Sequence, residues 1–374
     1  SSRGLPRCGL SASIAHAKCH LRRMPTSTIE AMASQETKHQ HYVPQGYMKG
    51  FATPEGGSRI HFLRKEDLSA AKPSTVGNLC AETNGYTISG STEAERQFVE
   101  NTYGRVWEDN YKRVYDAVTD DSLTHLDDDT RRLIIGTVTS LLFRTRKLKI
   151  ILGRMYEEMI QDAINVSRTS NITHVTIERY SMPLDGRSAK ELAREYERTQ
   201  HDGQVLTQLR MAITLANVRK NDRVDVIKLD SEDNFVTSDH PFSFYNPSAL
   251  PGVPQAPFTP TNILSLPINH KYRIDVYPPE QGRDSSLVTR ITHRDLIAKG
   301  EMLMNHAEQS QTADLFILGE KTTLQNFGKN LNDQGLKEQV DKARNSYLTD
   351  ILALASALGT SVTEIPTDQP TTKQ

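Results

Sequence analysis

The long helical patterns of this chain are gathered in one block, from about residue 92 to about residue 218, with strand patterns on either side. That segregation argues against alternating βαβ units and a parallel doubly wound sheet, and it predicts an α+β fold: a largely antiparallel sheet packed by a block of long helices. The longest pattern in the block runs from residue 131 to about residue 165. Ile134, Val138, Leu141, Leu148, Leu152, Met155 and Met159 recur there at helical spacing, so one broad apolar face is expected to form the centre of the core. The preceding Asp127, Asp128 and Asp129 supply a cap and acidic charge at the end of the helix that favours it.

Around that element the periodicity predicts helices over residues 92–118 and 188–218, the second with a possible break at His201-Asp202-Gly203. Strands are expected at 59–63 and 86–88, and a short pair near Val175. A hairpin should join 223–229 to 234–237, and a second should join 263–266 to 272–276. A helix from residue 292 or 293 to about 311 carries Asn305, a last strand covers 314–318, and an amphipathic helix closes the chain over 334–358. The expected organisation is a leader over 1–36, one domain over 37–330, the terminal helix over 331–360 and a tail over 361–374, with leader and tail disordered. The leader has the basic, serine-containing composition of a transit peptide, but with no initial Met it is read as upstream sequence or an extended gene model.

Composition excludes some functions and chooses none. With 36% hydrophobic residues, 24% charged residues and a net charge of −1 over 374 residues, nothing global points to nucleic acid or a membrane surface. Three cysteines, Cys8, Cys19 and Cys80, cannot build a disulfide framework, so a reducing, cytoplasmic setting is expected. No apolar run approaches the ~20 residues that cross a bilayer. The P-loop, the dinucleotide glycine fingerprint, the nucleophile elbow, His-Glu-x-x-His and paired Cys-x-x-Cys are all missing.

Two polar stretches stand out instead. Residues 234–238 carry an apolar strand pattern into Asp239 and His240, and Pro241 ends the ladder because it has no N–H to donate. Near the start, His39 and His41 stand two apart in an extended piece that Pro44 closes, so both imidazoles face one side. That spacing permits shared metal ligation; the alternative is one packed imidazole and one solvated. Glu100 lies on the shoulder of its helix stripe, either reaching toward a site or simply solvated. Arg144 flanks the stripe of the central helix, at the head of a basic run, residues 144–149, that is otherwise expected to be a solvated face.

Taken in order, His-Tyr-Val-Pro-Gln at 41–45 with Phe51, the Glu100 helix, Arg144-Thr145, Thr-Ser-Asp-x-Pro at 237–241 and the Asn305 helix resemble the family called domain of unknown function 4238. The resemblance covers roughly residues 38–320, and His240 replaces the Asn of the family's Thr-Ser-Asp-Asn-Pro. It implies a domain boundary and a site built from His41, Glu100, Arg144, Asp239 and Asn305, but no reaction. If these five converge, they offer a base or ligand, two carboxylates, a guanidinium and an amide. That inventory suits a metal-assisted, nuclease-like phosphoester hydrolase, with His39, His41 and Asp239 holding a divalent metal and a small molecule or nucleic acid as partner; His240 is a further imidazole. The competing reading is a binding protein in which the same residues form a buried network, Asp239 capping backbone N–H groups and Arg144 pairing with it.

Overall fold

The computed structural model describes residues 38–53, 57–170, 172–177, 180–246 and 257–339. The expected leader and tail, the 247–256 part of the proline-rich loop and the terminal helix beyond residue 339 lie outside the described residues. In chain order the strands are β1 (His39–His41), β2 (Arg59–Arg64), β3 (Asp67–Thr75), β4 (Ala81–Thr83), β5 (His174–Ile177), β6 (Tyr180–Pro183) and β7 (Arg223–Leu229). They continue as β8 (Thr237–Ser238), β9 (Ser243–Tyr245), β10 (Ile263–Pro267), β11 (Tyr272–Tyr277), β12 (Thr289–His293) and β13 (Phe316–Gly319). The main helices are α1 (Phe98–Tyr103), α2 (Tyr111–Thr119), α3 (Asp128–Phe143), α4 (Arg146–Ser167), α5 (Ala189–Thr199), α6 (His201–Arg219), α7 (Asp295–Thr312) and α8 (Lys321–Asn332).

Two sheets carry the α+β fold, one ordered β12-β7-β11-β10-β9 and one ordered β3-β2-β13-β8, with β1–β4 and β5–β6 as separate ribbons. Every pairing is antiparallel except β12 with β7. The hairpin expected at 263–276 forms, with Leu266 opposite Ile274. The one expected at 223–237 does not. β7 pairs with β11 and β12 instead, while the Phe235 N–H donates to the His270 carbonyl and β8 crosses to the other sheet beside β13. Residues 86–88, expected as a strand, form no ladder, because the Tyr86 N–H is taken by the side chain of Gln40; the partner of β1 is β4.

The helical block contains two further corrections. Between 92 and 118 a π turn, Gly104–Glu108, adds a residue to the helical ladder, and Val106, expected on the apolar face, is turned to solvent. The single helix expected over 131–165 is two, because Thr145 is extended (φ −78°, ψ 152°) and α4 restarts after it. α3 buries Ile134, Val138 and Leu141 in the main core. After the break α4 faces elsewhere: Tyr156 and Ile160 pack with Val175, Met182, Leu192 and Tyr196 in a second, smaller core, and Met155 and Met159 point outward. No helix among the described residues is long and apolar enough to cross a membrane.

The π turn docks through a close approach. A Cβ on Gly136 of α3 would lie 2.4 Å from the Trp107 indole nitrogen. Alanine would add about 1 kcal/mol of helix propensity there, but overpacking costs about 1–3 kcal/mol. Gly136→Ala is therefore expected to lower stability by about 1 kcal/mol in urea titration. A gain would mean that Trp107 has room to move.

Candidate functional site

The end of β8 is held by side chains that bond to backbone. Asp239 is 1% exposed, and its two carboxylate oxygens accept the N–H groups of Asp314 (2.8 Å) and Leu315 (2.7 Å) just before β13. Its own N–H donates to the Phe316 carbonyl (3.1 Å). Burial pushes the Asp239 carboxyl up, and the N–H groups that it accepts pull it back. From α7, the Asn305 amide oxygen accepts the Val236 N–H (2.8 Å), the Ser238 hydroxyl donates to Gln309 (2.7 Å), and the Gln309 amide donates to the Pro241 carbonyl (2.9 Å). Tyr47 reaches across from the opening segment, donating to the Pro267 carbonyl and accepting from the Thr237 hydroxyl, each at 2.7 Å. His240 is bonded through Nδ1 to the Thr145 hydroxyl in the break between α3 and α4, and burial with Lys147 nearby lowers it to about 3, so it is neutral.

A second cluster forms around Arg144, which the break turns inward until its side chain is fully buried. One guanidinium nitrogen bonds Glu108 of the π turn (2.9 Å) and another donates to the His41 carbonyl (2.6 Å). The group lies over the rings of Tyr103 (4.5 Å) and Tyr86 (5.6 Å), and the Tyr86 hydroxyl donates to the Arg144 carbonyl. Glu100 borders this charge. Its Oε2 is buried and has no hydrogen-bond partner, and Nε of Arg144, the Tyr103 hydroxyl and Nε2 of Gln97 are in the same state. Burial, opposed by Arg144 and reinforced by Glu108, raises Glu100 to about 7.

The five residues read from the sequence thus fall into two networks. Arg144 takes the His41 backbone carbonyl and lies beside Glu100; Asp239 and Asn305 belong to the α7 side. His41 and Asp239 share no hydrogen bond, and the partner of Arg144 is Glu108 rather than Asp239. The His39 and His41 rings meet edge-on at 5.3 Å, and both point an Nε2 at the Gly77 carbonyl, 3.2 and 3.3 Å away. Both Asp239 oxygens are occupied by backbone, and among the described residues no group of three or more His, Cys, Asp or Glu is placed to hold a metal ion.

Several polar groups escaped the sequence reading. Glu108, eight residues after Glu100, faces Arg144 only because the π turn shifts the register. In the five-stranded sheet, Asp225 and Asp275 face each other across β7 and β11; Arg223 lies 2.9 Å from Asp225, and Arg273 bridges Asp275 and Glu301 of α7, both at 3.0 Å. The signal for that row is the doubled pattern Arg223-Val-Asp225 and Arg273-Ile-Asp275, charge at alternate positions of apolar strands.

Fold and networks together define an α+β protein whose sheet edge and helical block are tied by buried side-chain-to-backbone hydrogen bonds. Residues 39–312 match the family described as Protein of unknown function (DUF4238), and the chain belongs to it. No curated protein and no solved structure matches it.

Asp239→Asn leaves one of the two N–H groups facing an amide NH₂. The expected loss is about 1–3 kcal/mol in urea titration near pH 7. An unchanged midpoint would show that the β13 entry does not depend on the carboxylate.

Proposed function

We propose that this DUF4238 protein works through a proton-exchanging carboxyl, Glu100, held above the Arg144 cluster with His41 at its rim. Arg144, Asp239 and Asn305 keep that site in register. The observation that carries the reading is the Glu100 side chain: an unpartnered buried oxygen beside a sealed guanidinium, with a pKa raised to about 7. A carboxyl poised there can give or take a proton at neutral pH, as general acid–base chemistry on a small-molecule ligand requires, in a cytoplasmic setting.

Metal-assisted phosphoester hydrolysis is the second reading, favoured by the convergence of His39 and His41. Against it stand the occupied oxygens of Asp239 and the occupied fork of Arg144, which is buried and leaves no bidentate grip for a phosphate. The residues present therefore fit a divalent metal poorly.

The folded protein holds the Glu100 proton to about 7, against 4.5 for an ordinary Glu. Its contribution to stability is complete below about pH 4.5 and is lost as pH rises through about 7. Glu100→Gln should match wild type near pH 4.5 and exceed it by about 3 kcal/mol near pH 8, read by urea titration. Parallel curves at all pH values would remove Glu100 as the proton-exchanging group. Ligand use is tested by thermal melting with a nucleotide and phosphoester panel, with and without Mg²⁺, Mn²⁺ or Zn²⁺. A wild-type shift that Glu100→Gln loses supports the acid–base site, and a metal-dependent shift that His41→Ala loses favours the hydrolase. A shift that both variants retain places the ligand elsewhere.

A further inference from the structure

Four buried polar atoms beside one another have no hydrogen-bond partner: Nε of Arg144, the Tyr103 hydroxyl, Nε2 of Gln97 and Oε2 of Glu100. Arg144 and Tyr103 have no exposure, and Gln97 is 5% exposed. Gln97 caps α1, and Glu100 and Tyr103 follow at three-residue intervals, which puts all three on one face of that helix. The Tyr103 ring lies 4.5 Å from the Arg144 guanidinium carbon, and Glu100 borders the same charge. The π turn begins at the next residue, Gly104, and π turns within helices are frequent at functional sites. Glu100 and Glu108 are only partly buried, so the cluster meets solvent beside that turn. Each unpartnered buried polar atom is costly, and four around one guanidinium mark a place that a bound group completes.

The pattern of donors and acceptors selects the ligand. Nε of Arg144 and Nε2 of Gln97 can only donate, so the ligand must bring an oxygen with two lone pairs. Ionised Glu100 can only accept, and the Tyr103 hydroxyl, kept neutral because burial pushes it up, can accept as well. The ligand must therefore also bring two donors. Glu108 already matches the charge of Arg144, so an anion beside Glu100 would add a second uncompensated negative charge to a buried site. An ammonium has no lone pair to meet the two donors. A primary carboxamide carries the full complement on one small, neutral, planar group: a carbonyl oxygen for Arg144 and Gln97, and two N–H groups for Glu100 and Tyr103. We infer that the acid–base site proposed above takes the carboxamide group of a small molecule, an assignment that rests on that reading of Glu100.

Saturation-transfer NMR on the full chain near pH 8, where Glu100 is ionised, compares acetamide and benzamide with the ketones acetone and acetophenone and with acetate and benzoate. Both amides should bind in the millimolar range, about tenfold more tightly than the matched ketones and acids. Tyr103→Phe removes a hydroxyl that has no protein partner, so its melting temperature should equal or exceed that of wild type while amide binding falls about tenfold. Gln97→Met, which keeps the side-chain length without the N–H groups, should lose the same binding. Ketones or acids that bind as well as the amides overturn the assignment. So do amides that bind wild type and both variants alike. If wild type binds neither amide the proposal fails, and a lowered melting temperature of Tyr103→Phe then shows that a water completes the network. The pH curves of Glu100→Gln separate the two readings. Amide binding with parallel curves supports the ligand and removes the proton exchange, whereas diverging curves with no amide binding keep the proton exchange and overturn the ligand.

Discussion

The Arg144 side chain is the tie on which the domain depends. A guanidinium with no exposure is tolerated only because Glu108 neutralises it, the His41 carbonyl accepts from it, and two tyrosine rings lie along its faces. Those partners come from the opening segment, the turn before α1, α1 itself and the π turn. Removing any one leaves a buried charge short of compensation, which costs far more than a surface ion pair contributes. The break at Thr145 follows from the same demand, since a continuous helix would carry Arg144 along the helix face instead of turning it inward.

α7 performs the equivalent task at the other sheet. Asn305 and Gln309 supply hydrogen bonds that β8 cannot obtain from a neighbouring strand, and Glu301 anchors the helix to Arg273 on β11. The C-terminal carbonyls of α7 are met by lysines: Lys65 donates to the Ala313 carbonyl (2.6 Å) and Lys147 to that of Gln311 (2.9 Å). Cations are favourable there, at the negative end of the helix dipole. Lys147 thus belongs to the framework and not to a solvated basic face.

Asp239 and Glu100 show how environment separates two buried carboxyls. Both are raised by burial, but Asp239 receives backbone N–H groups at both oxygens, while Glu100 keeps an oxygen with no donor. A satisfied carboxylate is a structural part, and an unsatisfied one near pKa 7 is chemically available. The distinction rests on where the neighbouring N–H groups point, and composition carries no trace of it.

Much of the architecture was legible in periodicity alone. The gathered helical patterns determined the α+β class, because a central helical block cannot supply the alternating crossovers of a parallel sheet. The local chemistry of residues 237–241 determined a strand that ends in polar groups, and that stretch together with His-Tyr-Val-Pro-Gln at 41–45 carried the resemblance to the family. Tertiary structure decided the rest. Whether β7 pairs with the segment after it or with β11 depends on long-range hydrogen-bond partners, and neither option changes the alternation along the strand. The outward turn of Met155 and Met159 depends on two extended dihedral angles at Thr145, imposed by the burial of its neighbour. The division of the five landmark residues between two networks has the same origin, because the spacing of side chains along a chain does not say which backbone N–H or carbonyl will reach them in space.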